Sequence, residues 1–180
     1  MVKKRIDKVL VLGGGSAGLL AALAIKKRTP AIQVRVVASS KRGVIGVGEG
    51  TVPFVLDFIH NYLGFDEAEV YKALDPVYKL GVRFDWGKRD FFDYTFANNL
   101  HHMGVSGLKK VSGFYVGDDC CGMDLPSALM DRALALPSRS GRPDVPVPGQ
   151  FVAWHLENKR FVAWLHSACR ERGIKILDEE

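Results

Sequence analysis

Cysteine is scarce in this sequence, with three in 180 residues: Cys120, Cys121 and Cys169. Three thiols cannot all pair, and chain neighbours such as Cys120 and Cys121 bridge each other only with strain. No disulfide framework is expected, and the compartment that suits the chain is a reducing one, the cytoplasm. Long apolar runs are missing too. The basic start Lys3-Lys4-Arg5 and the run ending in Ala21-Ala22-Leu23-Ala24 have the outline of a secretory signal. Asp7 and Lys8 precede that run, however, and Gly13, Gly14, Gly15, Ser16 and Gly18 interrupt it, which argues against a signal. Nothing else approaches the roughly 20 apolar residues of a membrane helix, so no membrane partner is expected.

Concentrated charge is also absent. The 25 Lys+Arg against 20 Asp+Glu leave a net charge of +5, scattered in short runs such as Lys26-Lys27-Arg28, Lys41-Arg42, Lys88-Arg89 and Lys109-Lys110. A nucleic-acid binder clusters its basic residues along one element, so nucleic acid is not an expected partner. Mild positive potential suits a small anionic ligand such as a dinucleotide. His101-His102 and Asp118-Asp119-Cys120-Cys121 include metal-ligand residue types, but no C-x-x-C or H-x-x-x-H spacing occurs, and no metal is expected. There are no internal repeats and no low-complexity tract. The apolar share of 47% and charged share of 25% are those of an ordinary folded chain, here expected to form a single domain over residues 1–180.

What is present is a change of hydrophobic period. Lys8 to Leu12 reads as a buried strand that stops at glycine. Ala17 to Arg28 is rich in alanine and leucine with a basic last turn, suited to a helix that Thr29-Pro30 ends. Ile32 to Val37 is strand-like again. Strand, glycine turn, helix and strand within about thirty residues make a βαβ unit, with a parallel sheet and a right-handed crossover. The fold class is therefore α/β.

Further along, Thr51 is expected to N-cap a helix from about Val52 to Leu63, ended by Gly64. Asp66 and Glu69 resemble a capping box for a short helix to about Leu74. Tyr78 to Trp86 alternates as one strand, with Tyr78, Leu80, Val82, Phe84 and Trp86 on one face. The turn Gly87 to Asp90 and the alternation Phe92, Tyr94, Phe96 predict an antiparallel partner. Asn98 to Asp124 reads as loops with some strand, Pro126 to Leu136 as helix, and residues 136–150 as a proline-rich loop. A last helix is expected over Asn158 to Arg172, capped by Gly173, before a strand from Ile174 to Leu177. Trp154, Phe161 and Trp164 are expected in the core.

The glycine turn carries the first chemistry. In G-x-G-x-x-G the first glycine permits the tight turn, the second lets a pyrophosphate reach the backbone, and the third lets helix and strand pack. Here these are Gly13, Gly15 and Gly18, and they sit between a predicted strand and a predicted helix, the context that gives the motif meaning. The helix start, with Ser16 and Ala17, would present free amides to phosphate. An acidic residue usually binds the adenosine ribose at the end of the second strand. This chain has Ala38 there, followed by Ser39-Ser40-Lys41-Arg42, which could instead receive the 2′-phosphate of NADP. A second glycine-rich segment, Gly43 to Gly50, has no evident use in a simple nicotinamide domain and does have one over the longer body of a flavin.

Three segments together resemble a known family: Val11-Leu-Gly-Gly-Gly-Ser-Ala-Gly18, Gly46-Val-Gly-Glu-Gly-Thr-Val-Pro53, and Lys79 in Tyr78-Lys-Leu-Gly-Val-Arg-Phe-Asp-Trp86. They are similar, in order and spacing, to the opening of the flavin-dependent tryptophan halogenases. Trp154-His-Leu-Glu-Asn-Lys-Arg-Phe161 is similar to a helix start in the same family, so the resemblance runs from about Ile6 to the end. It implies a Rossmann-like FAD-binding domain of the flavin monooxygenase/halogenase type. FAD would contact Gly13, Gly15, Ser16, Ala17, Gly18 and Ser39, with Gly46, Gly48 and Glu49 forming a strap over the flavin.

The reaction the resemblance implies begins with FAD reduced by a separate flavin reductase. Dioxygen would convert it to a flavin hydroperoxide, halide would attack, and hypohalous acid would travel to a lysine beside a small aromatic substrate. That lysine is Lys79, as a haloamine or as a hydrogen-bond donor; read without the family, it is a solvated strand residue beside Arg83 and Asp85. The family's Trp-x-Trp-x-Ile-Pro motif does not occur in these residues. The resemblance thus implies an N-terminal part of the domain, incomplete at the C-terminal end, which alone is expected not to halogenate. Two other readings stay open at this level: a flavin monooxygenase without a halide step, and a truncated FAD- or NADP-binding module.

Overall fold

The computed structural model describes residues 6–41, 43, 48–87, 90–96, 125–134, 138–139, 142–143 and 152–179. In chain order the elements begin with β1 (Lys8–Leu12), α1 (Ser16–Arg28), β2 (Gln33–Ala38) and β3 (Glu49–Gly50). Helix α2 (Pro53–Asp57) runs into a π-helical turn (Phe58–Tyr62), followed by α3 (Glu67–Leu74). Then come β4 (Val77–Lys79), β5 (Gly81–Phe84), β6 (Phe92–Thr95), α4 (Leu125–Asp131), β7 (Ser138–Arg139) and β8 (Arg142–Pro143). The last are β9 (Ala153–Leu156), α5 (Asn158–Glu171) and β10 (Lys175–Asp178). These elements fall into two compact units.

The first unit draws on residues Met1–Glu49, Leu63–Leu74 and Leu156–Glu180. Its sheet has the order β1-β2-β10, and both pairings are parallel. The predicted βαβ unit is thus present, within a residue or two of its expected bounds, but β1 is not the buried strand expected: Leu10 is 62% and Leu12 85% exposed among the described residues. Val34 and Val36 of β2 are buried, as are Leu19, Ala22 and Leu23 of α1 and Phe161, Leu165, Ala168 and Cys169 of α5. Helix α5 is amphipathic because these apolar residues recur at three- and four-residue spacing. Its N-terminus is capped by Glu157, whose carboxylate accepts from the amides of Lys159 at 3.1 Å and Arg160 at 2.7 Å. Gly173, at φ +69°, turns the chain out of the helix into β10. Asp66 accepts from the Glu69 amide at 2.9 Å, which starts α3 as expected. Cys169 is fully buried and its thiol donates to the Leu19 carbonyl at 3.8 Å. Burial pushes this thiol up to about 11, so it is a packing residue and no nucleophile at neutral pH.

The second unit draws on Gly50–Tyr62 and Asp75–His155. Here several expectations are corrected. Thr51 does not cap α2; the N-cap is Val52, with no side-chain bond, because the Thr51 hydroxyl is engaged with Trp154 across the sheet. The expected single helix from Val52 to Leu63 is an α-helix of five residues followed by five in π geometry. Tyr78 to Trp86 is two strands. β4 pairs antiparallel with β9, while β5 pairs antiparallel with β6, in register Arg83↔Asp93. The break falls at Leu80, which is buried, whereas Trp86, expected on the same face, is 59% exposed.

Trp154 to Leu156 belongs to a strand that precedes the last helix, an element not anticipated from sequence. The sheet order is β3-β9-β4. Trp154 is buried there. Helix α4 is shorter than the expected Pro126 to Leu136, and Ser138–Arg139 pairs with Arg142–Pro143 inside the proline-rich segment. The expectation for Asn98 to Asp124 lies outside the described residues, as do Cys120 and Cys121. No helix among the described residues is long and apolar enough to cross a membrane.

Removing the fully buried Leu165 side chain by Leu165→Ala is expected to lower the unfolding free energy by about 2–5 kcal/mol. Glu157→Ala, which only uncaps the same helix, is expected to cost about 1 kcal/mol. Urea denaturation of the two variants checks the order.

Candidate functional site

Two groups of side chains carry chemistry, one in each unit. In the first unit the glycines of the turn have three separate reasons. Gly13 has φ +117°, where an L side chain is strained, and its amide donates to the Val37 carbonyl at 2.8 Å, tying the turn to the end of β2. A Cβ on Gly18 would collide with the Gly13 carbonyl oxygen, so α1 can begin against the turn only without one. At Gly15 a Cβ would meet nothing within 4 Å. The backbone there faces open space, which is what the approach of a pyrophosphate needs.

Gly15 is also the N-cap of α1 and has no side chain to cap it, and no acidic residue occupies the first turn. The first amides of the helix, at Ser16, Ala17 and Gly18, are therefore without intrahelical partners and carry the positive end of the dipole. The Ser16 hydroxyl donates to Glu49 Oε1 at 2.6 Å. Glu49, read from sequence as part of the flavin strap, is thus fixed at the head of α1. Gly48 lies beside it, where a Cβ would stand 3.3 Å from the Leu156 carbonyl oxygen. Gly46 lies outside the described residues.

On the other side of the turn, a Cβ on Gly14 would overlap that of Ala38 and would lie 3.8 Å from Nε2 of His166. His166, on α5, brings an imidazole to the turn that the motif alone did not reveal. Ser39 follows β2 and is half-buried. The Ser40 amide donates to Asp178 Oδ1 at 2.7 Å. Hydrogen bonds from Ser40, side chain first and backbone second, hold the Asp178 carboxyl below the usual carboxylate range.

In the second unit Lys79 is half-buried at the end of β4. Its Nζ donates to the Thr51 carbonyl oxygen at 3.1 Å and lies 5.3 Å from the centroid of the Phe96 ring. A Cβ on Gly50 would stand 3.4 Å from that Nζ and 3.6 Å from Nδ1 of His155. The ammonium and the imidazole therefore border the same space, which Gly50 leaves open. The register Val77↔His155 and Lys79↔Ala153 sets both side chains on one face of the β4–β9 pair. Thr51 is fixed in turn: its amide donates to the Trp154 carbonyl at 2.8 Å, its hydroxyl donates to the same carbonyl at 3.1 Å, and that hydroxyl accepts from the Trp154 amide at 2.8 Å. His155 was missed from sequence because β9 was not foreseen: Ala153, Trp154, His155 and Leu156 make too short a run to mark a strand. Among the described residues no group of three metal-ligating side chains occurs.

The family model for tryptophan halogenase matches residues 8–180. The chain belongs to the tryptophan halogenase family. Among curated relatives, tryptophan 6-halogenase SttH of Streptomyces toxytricini is 40% identical over 114 residues, 62% of this chain and 20% of that protein. Tryptophan 7-halogenase KtzQ of Kutzneria sp. (strain 744) is 32% identical over 119 residues, 57% of this chain and 22% of that protein. Among solved structures, the tryptophan 5-halogenase MibH aligns with TM-score 0.67 and 30% identity, covering 96% of this chain and 33% of that one. The structure of SttH aligns with TM-score 0.70 and 25% identity, covering 98% and 38%. The chain thus spans about a fifth of the length of these curated relatives and about a third of these solved halogenases. Its mixed α/β architecture is that of the corresponding part of the flavin-dependent halogenase fold.

For a halogenase of this family the turn makes a sharp expectation. Gly15 has an extended backbone, at φ −82° and ψ 179°, which any residue adopts. Gly15→Val should cost the unliganded chain no more than the roughly 1 kcal/mol of a poorer N-cap and weaken FAD binding by at least about tenfold. Gly18→Ala should instead destabilise the unliganded chain by about 1–3 kcal/mol, the range for overpacking. Thermal melts with and without FAD separate the two.

Proposed function

We propose that this chain is the nucleotide-binding, lysine-bearing part of a flavin-dependent halogenase that acts on an electron-rich aromatic substrate. FAD, reduced by a separate flavin reductase, is the cofactor, and when bound it supplies the activation of dioxygen by which halide becomes an electrophile. The residues for it are Gly13, Gly15, Ser16, Ala17 and Gly18 at the turn, Ser39 beyond β2, and Gly46, Gly48 and Glu49 in the second glycine-rich segment. Open backbone at Gly15 and amides without intrahelical partners at the start of α1 suit the pyrophosphate.

The observation that carries the reading is the hydrogen bond from Lys79 to the carbonyl of Thr51, a residue of the family-like segment ending at Pro53. A lysine held by one carbonyl keeps two further N–H bonds to offer. It can orient and polarise an electrophilic halogen species by donating to it, or attack it as a free amine after losing a proton. Phe96 and the backbone of β3 flank the ammonium, and His155 borders the same space. On this reading residues 1–180 by themselves are expected not to halogenate, since they cover only about a third of the solved halogenases they match.

The test uses the chain extended to the length of its relatives, supplied with FAD, a flavin reductase and chloride or bromide. Lys79→Ala should lower halogenation of an indole substrate by at least about 10²-fold, the scale of a positioned proton-transfer group, while FAD affinity stays as in the parent. Halogenation by that variant at the parent rate would remove Lys79 from the mechanism. Product formed by residues 1–180 alone would remove the requirement for the rest of the domain.

A further inference from the structure

In the dinucleotide fold the adenosine ribose is gripped by an acidic side chain at the end of the second strand. This chain has Ala38 at that place, and the Ala38 Cβ faces the glycine turn so closely that a methyl group on Gly14 would overlap it. An acidic residue nevertheless stands level with Ala38. It comes from the neighbouring strand: β10 pairs with β2 in the register Asp178↔Ala38. Two hydrogen bonds fasten the strand ends together there, from the Ser40 amide to Asp178 Oδ1 at 2.7 Å and from the Glu179 amide to the Ala38 carbonyl at 2.8 Å. Asp178 is exposed.

The geometry points to Asp178 as the acceptor for a ribose hydroxyl of an adenine nucleotide bound at the Gly13–Gly18 turn, in place of the acid that β2 lacks. This rests on the nucleotide reading above and extends it to a residue outside the motif. Three features support it. The carboxylate stands one strand away from the usual position, at the same C-terminal edge of the sheet where ligands of this fold bind. A carboxylate offers about four lone-pair sites, and the contacts with Ser40 leave capacity for a hydroxyl donor. Asp178 is anionic at neutral pH like any exposed aspartate, and a charged acceptor strengthens a hydrogen bond from a sugar hydroxyl.

The same arrangement decides between nucleotides. A 2′-phosphate brought to this edge would meet the negative charge of Asp178, and the Ser40 amide that could have received it is already donating to that carboxylate. Asp178 therefore selects a 2′-hydroxyl, as in FAD and ADP, over a 2′-phosphate, as in NADP. The Ser39 to Arg42 segment, which by sequence could have served NADP, is turned to the opposite preference by a residue far along the chain.

The experiment measures dissociation constants of the unmodified chain and of Asp178→Asn for FAD, ADP and adenosine 2′,5′-bisphosphate by calorimetry and flavin fluorescence. The parent should bind ADP more tightly than the bisphosphate. In the variant FAD and ADP should weaken about tenfold, the scale of a charge-assisted hydrogen bond, while the bisphosphate weakens less or gains, so that the preference narrows. An unchanged FAD affinity overturns the proposal, and so does an equal loss for all three ligands, which is what a purely structural role would give. Asp178→Ser is read in the same way if the asparagine variant does not fold. If the parent binds neither FAD nor ADP, the nucleotide reading falls and this proposal with it. If the parent binds both and Asp178→Asn changes nothing, this proposal falls alone.

Discussion

The pairing of Thr51 with Trp154 is the constraint on which the second unit depends. One residue exchanges three hydrogen bonds with a single residue 103 positions later, using its amide and its hydroxyl. Closing a loop of that length costs conformational entropy that local contacts do not repay, so the pairing is made only within a sheet. Thr51 and Trp154 are both buried, and a buried hydroxyl without partners would be costly. The reward is a carbonyl held still. Lys79 donates its hydrogen bond to that carbonyl, so the position of the ammonium follows from backbone pairing, with the Phe96 ring beside it.

The short segment Glu49-Gly50-Thr51 serves several ends at once. Glu49 accepts from Ser16 at the head of α1, Gly50 keeps clear the space beside Lys79 and His155, and Thr51 supplies the lysine's acceptor. Each needs its own residue type. A carboxylate is attracted to the positive end of a helix, only glycine removes a Cβ from a crowded face, and threonine combines a hydroxyl with strand preference. This accounts for a segment that resembles the halogenase family more specifically than the glycine turn does, since a Gly-x-Gly-x-x-Gly turn answers only the general demands of a phosphate.

How much of this was legible in sequence depended on the range of the interaction. The βαβ unit was read within a residue or two, because hydrophobic period, glycine turn and helix stop are all local. The last helix was equally plain from Phe161, Leu165 and Cys169 and from Gly173 behind them. The errors fell where a distant partner overrode a local preference. Thr51 had the chemistry of an N-cap and was drawn instead into the sheet. Tyr78 to Trp86 alternated without interruption, yet its two halves pair with different strands, and alternation carries no information about which partner a strand will find. Trp154 to Leu156 passed as the run-in to a helix because a four-residue strand leaves too short a pattern to recognise.

By itself the sequence determined the α/β class and the placing of Gly13, Gly15 and Gly18 between a strand and a helix, since both are written in contiguous stretches; Lys79 stood out only through the family resemblance, its local pattern being that of a solvated strand residue. Only the tertiary structure decided what surrounds them. It set Glu49 on Ser16, Lys79 on Thr51 and beside the space bordered by His155, and Asp178 level with Ala38. The reason is that these neighbours come from segments separated by 28 to 140 positions. Their register is fixed by long-range strand pairing and by burial against the helices, as at Val34 and Val36 of β2, a property of the assembled core that no short segment contains.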